Sequence, residues 1–297
     1  MIYDIGLTIT YFYESPAVGG RHLLRLTPAD LPGVQKRLAC RLEVEPDPAE
    51  RRDYHDFFGN ESIEVVFREA HDEIAFRVSS RIERLMQPPS LDISPDLPRL
   101  AQEIAGWRDL GPDAPHHFLP VSPRIGRLPE AAAFARARLE PGMTAFAAVC
   151  AIGEAFFDEM TYDPDATTVD TPPAEAFAKR HGVCQDFAHI MIAALRGIGI
   201  PAGYVSGFLR TSPPPGKPRL EGADAMHAWV RAWCGTELGW VEYDPTNAVI
   251  VGLDHIEIGH GRDYGDVAPV SGVLKISGSQ TTEQAVDVIP VETKPAK

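Results

Sequence analysis

The stretch His181-Gly182-Val183-Cys184-Gln185-Asp186-Phe187 organises the rest of the sequence, because it places a cysteine where a loop passes into a helix. From Phe187 to Ile198 the apolar residues recur on one stripe at helical spacing, which predicts a buried helix. The first backbone amides of a helix carry partial positive charge and favour a thiolate over a thiol. Cys184 is therefore a candidate nucleophile, and it needs a base and a group that orients the base.

Composition limits the class of protein. A chain of 297 residues that is 44% hydrophobic forms a sizeable core and about two domains. The 28 basic and 42 acidic residues give a net charge of −14, which repels phosphate backbones and anionic membranes, so neither nucleic acid nor a membrane is an expected partner. The first residues lack a signal peptide and no apolar run spans a bilayer, so we expect a cytoplasmic protein.

The four cysteines lie far apart and form no CxxC pair. This spacing argues against a zinc cage and against a dithiol redox centre, and we expect neither a metal nor a cofactor. Cys40, Cys150 and Cys234 are interpreted as core or strand residues, since unpaired cysteine packs as a small hydrophobe. Only Cys184 has a context that indicates chemistry.

The first part of the chain is rich in short β patterns. Alternating or β-branched runs at 2–13, 22–26, 40–44, 62–67 and 74–78 are separated by Asp, Asn, Gly and Pro clusters. Residues 1–86 are thus predicted to form an antiparallel β-sandwich domain. Residues 87–125 are predicted to be a proline-rich linker with one short helix near 97–107, because proline disfavours regular structure elsewhere in it.

Residues 126–285 are predicted to form an α+β domain. Helices are expected at 129–139, at 144–160, and from a Thr171 cap to Arg180 with a stop at Gly182. After the Cys184 helix the period changes to two, which predicts strands near 204–209, 225–233, 240–243, 256–258 and 273–276. The sequence from Thr281 is mostly polar, so a frayed end and a tail at 286–297 are expected.

Two of these strands bring further polar side chains toward Cys184. In the first strand, alternation puts His227, Trp229 and Arg231 on one face. In the second, Glu242 and Asp244 share a face, and the short 235–239 connection predicts that the two strands pair. A thiolate with an imidazole base and a carboxylate that fixes its tautomer is a set suited to acyl transfer. Cys184, His227 and Asp244 are the candidate catalytic residues.

Three blocks of the sequence carry a family resemblance. The segments 182–188, 226–229 and 239–247 resemble the motif blocks of the bacterial transglutaminase-like superfamily. Segments 11–16 and 24–28 resemble the β-sandwich domain that precedes the catalytic domain in one branch, the transglutaminase-like cysteine peptidases, and 261–266 with Pro269 resembles its C-terminal signature. The resemblance implies a papain-like α+β core in which Cys184, His227 and Asp244 act as the triad without metal or calcium.

The surrounding residues admit more than one interpretation. The Cys184 N–H is one expected oxyanion donor, and Gln185, Tyr162 and Trp229 are candidates for the second donor or for supporting contacts. Asp186 is left out of the catalytic set, because a carboxylate at that position opposes a thiolate. His255, Glu257 and His260 are expected in a solvated loop rather than a metal cluster. Asp263, Tyr264 and Asp266 either pack against the triad or stabilise a turn.

Three functions follow from this pattern. The first is a cysteine amidase or peptidase that hydrolyses a peptide or isopeptide amide of a peptide or protein substrate through a Cys184 thioester. The second is transfer of a glutamine acyl group to an amine, which cross-links proteins and depends on shielding the thioester from water. The third is a non-catalytic binding module on the same fold.

Overall fold

The computed structural model describes residues 1–87, 91–211 and 224–291. The N-terminal region contains five strands and no helix within the described residues. They are β1 (Ile2–Leu24), β2 (Gln35–Glu45), β3 (Glu50–His55), β4 (Glu61–Phe67) and β5 (His71–Arg84). The expected strands at 2–13 and 22–26 are therefore parts of a single 23-residue strand.

In chain order, most of the helices come between this region and the strands of a second sheet. In chain order the middle elements are α1 (Leu97–Gly106), a 3-10 helix (Pro115–Phe118), α2 (Pro129–Arg136), α3 (Ala145–Glu159), β6 (Thr161–Tyr162), α4 (Pro173–Lys179), β7 (His181–Gly182) and α5 (Cys184–Gly197). The last elements are β8 (Ala202–Leu209), β9 (Ala225–Trp233), β10 (Trp240–Asp244), β11 (Val249–Ile250), β12 (His255–Gly261), α6 (Tyr264–Val267), β13 (Val270–Lys275) and β14 (Gln280–Pro290). The predicted α+β class is confirmed.

The N-terminal sheet is one curled antiparallel sheet built around β1. The first half of β1 pairs with β5 and β14, whereas its last residues pair with β4 and β13 after an irregularity between Phe12 and Ala17. Apolar residues from both halves of β1, such as Ile5 and Leu24, share one buried core. The curl of a single sheet thus gives two facing layers, which is how the predicted sandwich is realised.

The C-terminal residues return to this sheet. β14 pairs with β1 from Tyr3↔Pro290 to Tyr13↔Gln280, and Val286 and Val288 are buried in the N-terminal core. The expectation of a frayed end after Thr281 is wrong for the described residues, because polar residues on the exposed face of a strand conceal its buried alternation. Residues 292–297 of the predicted tail lie outside the described residues.

The second sheet carries the candidate site. Its five strands follow the antiparallel order β11-β10-β9-β8-β12, and α5 packs against β9 and β8. The side chains of α5 from Phe187 to Leu195 are nearly all buried, which confirms the predicted buried helix. Within the described residues, no helix has the length and hydropathy needed to cross a membrane.

Candidate active site

Cys184 is the first residue of α5 and is half-buried. The chain enters this helix from β7, which runs parallel to β6 with Thr161↔His181 and Tyr162↔Gly182. The residue that leaves α4 is Arg180, whose φ of 57° is left-handed. The expectation that Gly182 supplies the turn is therefore wrong. The predicted Thr171 cap is wrong as well, because Pro172 is the residue that precedes α4. The Thr171 hydroxyl instead accepts a hydrogen bond from the Thr168 N–H.

Gly182 is required for a different reason. A Cβ atom on Gly182 would lie 2.6 Å from the Oδ2 of Asp186 and 2.7 Å from its Cβ. The same Oδ2 accepts hydrogen bonds from the Val183 N–H at 2.9 Å and from the Thr167 hydroxyl at 2.6 Å. Asp186 thus closes the start of α5, and only a glycine leaves room for it beside Cys184.

The Asp186 side chain is buried. Burial raises its pKa, although the hydrogen bonds from Thr167 and Val183 act in the opposite direction. Its hydrogen bonds go to Thr167 and to the Val183 N–H, which agrees with leaving it out of the catalytic set. Its carboxylate holds the backbone that leads to Cys184.

His227 and Asp244 meet at the buried end of β9 and β10. Their strands pair with Trp240↔Trp233 and Tyr243↔Val230, so the same register places Asp244 opposite Trp229 and makes His227 its diagonal neighbour. The Nε2 atom of His227 lies 2.7 Å from Oδ2 of Asp244. Asp244 leaves Nδ1 as the available ring nitrogen, and the Cys184 thiol is near enough to raise the pKa of His227.

The charges in this trio reinforce one another. Burial alone lowers the pKa of His227, but hydrogen bonds and charges of Asp244 and Cys184 outweigh it and raise the pKa to about 10. Burial likewise raises the pKa of Asp244, yet hydrogen bonds from His227, His255 and Asn247 bring it well below its usual range. The imidazolium and the carboxylate therefore coexist in a site where Asp244 is fully buried.

The three candidate supporting residues have different surroundings. The Gln185 amide donates to the Val169 carbonyl at 3.0 Å, and the Trp229 indole N–H donates to Glu242 at 2.8 Å. Tyr162 is 56% exposed, and burial followed by the charge of Cys184 raises the pKa of its phenol. Of the three, Tyr162 is the one whose side chain has no hydrogen bond among the described residues.

Asp263 and Asp266 stabilise a turn, whereas the Tyr264 ring packs edge-on against Tyr204 at the edge of the core. Asp263 accepts hydrogen bonds from the N–H groups of Gly265 and Arg124, each at 2.8 Å. Asp266 binds the Arg262 backbone and guanidinium. These contacts cap α6 and fix its connection to β12, which corresponds to the second of the two expected roles.

The sequence pattern does not indicate His255 as a site residue, but the structure places it beside Asp244. The residues His255, Glu257 and His260 lie on β12, where His255 and Glu257 are buried, so the expected solvated loop is wrong. β12 is covered by the N-terminal sheet, an arrangement that strand periodicity alone does not reveal. The Nε2 atom of His255 lies 3.1 Å from Oδ2 of Asp244.

Asn247 is a third contact to the same oxygen, after His227 and His255. Its side-chain amide donates to Oδ2 of Asp244 at 2.7 Å, and the Thr246 N–H donates to Oδ1 at 2.9 Å. The segment Asp244-Pro-Thr-Asn247 is the signal from which both contacts could have been found, because an aspartate before a tight turn commonly accepts from residues two and three positions on.

One cluster of the described residues has the spacing of a metal site. Single ligand atoms of His227, Asp244 and His255 lie within 4.8 Å of one another. In this structure both histidine Nε2 atoms point at the same carboxylate oxygen at hydrogen-bond distances. The arrangement is accounted for by N–H donation to a carboxylate.

The fold and the site define a class: an α+β domain that sets a cysteine at a helix start against a histidine held by a buried carboxylate. Comparison of the sequence with family models agrees. Residues 132–245 match the transglutaminase-like superfamily, and residues 3–83 match the bacterial transglutaminase-like N-terminal region. The chain belongs to the transglutaminase-like superfamily.

Individual relatives extend the match over most of the chain. An uncharacterized protein of Mycobacterium tuberculosis is 35% identical over 268 residues, covering 87% of this chain and 83% of the relative. One from Mycobacterium leprae is 32% identical over 283 residues, with 94% and 95% coverage. A solved structure of a candidate cysteine protease from Cytophaga hutchinsonii shares the fold, with a TM-score of 0.76 at 21% identity over 100% of this chain and 92% of that one.

A third relative is named for an activity. A protein-glutamine gamma-glutamyltransferase of Pseudomonas aeruginosa is 38% identical over 90 residues, which are 30% of this chain and 13% of that protein. Members of the superfamily are usually cysteine-dependent enzymes. The likeness to this relative is limited to a short segment.

Proposed function

We propose that the chain is a cysteine-dependent amidase or peptidase that cleaves a peptide or isopeptide amide through a thioester on Cys184. The observation that carries this proposal is the placement of His227: its Nε2 atom lies 2.7 Å from Oδ2 of Asp244, and Asp244 and Cys184 together raise the pKa of its ring. An imidazolium held this way keeps a thiolate beside it and stores a proton for a leaving group.

The proposed reaction has two halves. The Cys184 thiolate attacks the amide carbon and forms a C–S bond, while the carbonyl oxygen becomes an oxyanion close to the Cys184 N–H, a helix-start amide without an intrahelical acceptor. The C–N bond then breaks as His227 donates its proton to the departing amine. Water, deprotonated by the now neutral His227, attacks the thioester, forms a C–O bond and releases the thiolate.

Transfer of the acyl group to an amine is the second candidate. It uses the same first half, and an amine replaces water in the second. The name of the Pseudomonas aeruginosa relative, protein-glutamine gamma-glutamyltransferase, favours this acyl transfer. The two outcomes differ only in which nucleophile reaches the thioester first.

One experiment separates these candidates. A glutamine-containing peptide is incubated with the protein, with and without excess primary amine, and its mass is measured; Cys184→Ala serves as the control. Conversion of the amide to the acid under both conditions is the expected result. An amine adduct would establish transfer instead, and an unchanged mass across a panel of peptides with glutamine, asparagine and isopeptide amides would leave the binding module as the better interpretation.

A further inference from the structure

His255 is a second imidazole on the carboxylate that holds the candidate base. It begins β12, only 5% of its surface is exposed, and its Nε2 atom lies 3.1 Å from Oδ2 of Asp244. Its other nitrogen, Nδ1, accepts from the Gly252 N–H at 3.4 Å. A ring whose Nδ1 accepts carries its proton on Nε2, so the hydrogen bond to Asp244 runs from histidine to carboxylate.

The donors around Asp244 account for its position. Oδ2 accepts from His227, His255 and the Asn247 amide, and Oδ1 accepts from the Thr246 N–H. A fully buried carboxylate depends on such donors for both its charge and its orientation. His255 is the only one of the four that comes from an element other than β9, β10 and the turn after β10.

Packing fixes the His255 ring as well. The Trp229 indole lies edge-on to it at a centroid distance of 5.3 Å, and the centroids of the His227 and His255 rings are 6.1 Å apart. A Cβ on Gly207, in the strand between β9 and β12, would lie 2.4 Å from the Trp229 ring. The absence of a side chain at Gly207 therefore leaves the space in which the indole meets His255.

The N-terminal sheet holds the turn that precedes His255. The Tyr3 hydroxyl on β1 donates to Asp254 at 3.0 Å, and an Nη2–H of Arg84 on β5 donates to the Gly252 carbonyl at 3.0 Å. Gly252 is also the residue whose N–H fixes the His255 tautomer. The sheet that contains β1 and β5 thus reaches Asp244 through one short turn.

We propose that His255 is a positioning residue for the triad: its Nε2–H, set in place by the N-terminal sheet, orients the Asp244 carboxylate that in turn orients His227. This inference rests on the proposed function, in which His227 is the base for Cys184. It also gives the N-terminal region a task in the site, because the turn that carries His255 is anchored there.

Two histidine variants separate hydrogen bonding from packing. In His255→Gln the side-chain amide nitrogen reaches the position of Nε2, whereas in His255→Asn the shorter side chain does not. The readout is the second-order rate of Cys184 alkylation by iodoacetamide at pH 7, measured by peptide mass spectrometry. We expect His255→Asn to slow it by about tenfold and His255→Gln to stay within about threefold of the wild type.

The control is His22→Gln, a change at a buried histidine of the N-terminal sheet whose ring packs against Phe67 and Phe76. It is expected to lower the melting temperature and to leave the alkylation rate unchanged. Equal rates in His255→Asn, His255→Gln and wild type would overturn the proposal, and so would equal slowing of both His255 variants, which would assign the residue to packing alone.

A second measurement needs no variant at position 255. Long-range ¹⁵N–¹H correlation spectra of the full chain, labelled at histidine, report which ring nitrogen of His255 carries the proton. Protonation at Nε2 is expected at neutral pH. A neutral ring protonated at Nδ1, or displacement of the Nε2 proton by added Zn²⁺ at micromolar concentration, would contradict the proposal. If wild-type Cys184 reacts no faster than the other cysteines, the proposed function fails, while this spectrum still decides the placement of His255.

Discussion

Asp244 is the residue at which the electrostatics of the site converge, because it is fully buried and four donors surround its carboxylate. Such a carboxylate keeps its proton off only while those donors remain. The charge then stabilises the imidazolium of His227. The protonation of the His227 ring can therefore be measured to show the effect of the Asp244 charge.

The titration of His227 provides the first prediction. Its pKa is raised to about 10, so below that pH the folded protein keeps the ring charged, and it loses the proton only as the pH rises through about 10. In Asp244→Asn the anionic partner is gone while burial still favours the neutral ring, so the titration should move to lower pH. Histidine ¹⁵N chemical shifts followed from pH 6 to 11 report it.

The comparison variant for this titration is Asp113→Asn. Asp113 also binds a buried cation, Arg231, at 2.9 Å, but its own side chain is 66% exposed. It should leave the His227 titration in place. An unchanged His227 titration in Asp244→Asn would show that the carboxylate does not set the charge of the ring.

At the residue scale the sequence indicates some of these contacts and not others. Cys184, His227 and Asp244 could be named because a helix start, strand alternation and a short hairpin are all local patterns. His255 is eleven residues beyond Asp244, on a strand at the far edge of the sheet. Its contact depends on the sheet order and on what covers β12, and neither is written in a local pattern.

The segment that leads into α5 sets the position of Cys184, the first residue of that helix. It is held on one side by the parallel pairing of β6 with β7 and on the other by the Asp186 carboxylate. The periodic stripe of α5 is enough to predict the helix. The left-handed Arg180 is not predictable in this way, because non-glycine residues seldom adopt a positive φ.

Gly182→Ala tests this element. The added Cβ would lie only 2.6 Å from Oδ2 of Asp186 and would displace that carboxylate. The hydrogen bond from the Val183 N–H, just before Cys184, would then be lost. We expect a loss of about 1–3 kcal/mol in the free energy of unfolding and a slower alkylation of Cys184. Denaturant titration and the alkylation rate measure the two effects.

Gly126→Ala is the matched substitution, because a Cβ there meets no atom within 4 Å. It should change neither quantity by a measurable amount. Wild-type stability and reactivity in Gly182→Ala would mean that the start of α5 tolerates rearrangement and that Asp186 does not fix the nucleophile.

At the scale of the whole molecule, the N-terminal sheet covers the edge of β12. The Gln35 amide accepts from the Glu257 N–H at 3.0 Å and donates to the Glu257 carbonyl at 2.8 Å, and the Asn60 amide does the same with His260 at 2.9 and 2.8 Å. Two side-chain amides thus replace a neighbouring strand. They satisfy backbone groups that an exposed edge would leave open.

Asn60→Ala should therefore weaken the union of the two sheets. It leaves the His260 N–H and carbonyl unpaired at a buried contact, which costs about 2 kcal/mol of unfolding free energy. Gln87→Ala, which removes an exposed amide bonded to the Gly33 carbonyl, should be nearly neutral. Chemical denaturation of both variants compares them, and equal stability would argue that the amides do not hold β12.

This union is also what the sequence reveals least. The strands of residues 1–86 are predicted from alternation, except β3, whose residues Glu50–His55 are almost entirely polar. The return of β13 and β14 to β1 links residues whose separation runs from 246 positions (270 − 24, Leu24↔Val270) to 287 positions (290 − 3, Tyr3↔Pro290). The pairing of β13 and β14 with β1 depends on the buried faces of the assembled sheet. A domain boundary predicted at residue 285 from local patterns therefore does not include this pairing.

Cys184 is proposed as the activated thiol of this chain, and competition of the four cysteines for limiting alkylating reagent is the decisive test. Burial raises the pKa of Cys40 and Cys234, and that of Cys150 to about 11, whereas Cys184 has His227 beside it. Limiting iodoacetamide at pH 7, followed by peptide mass spectrometry, gives the rate at each cysteine. Cys184 should be labelled at least tenfold faster than the others, and His227→Asn should remove that advantage. Labelling of Cys184 at the rate of Cys40, or the same fast rate without His227, would contradict the account.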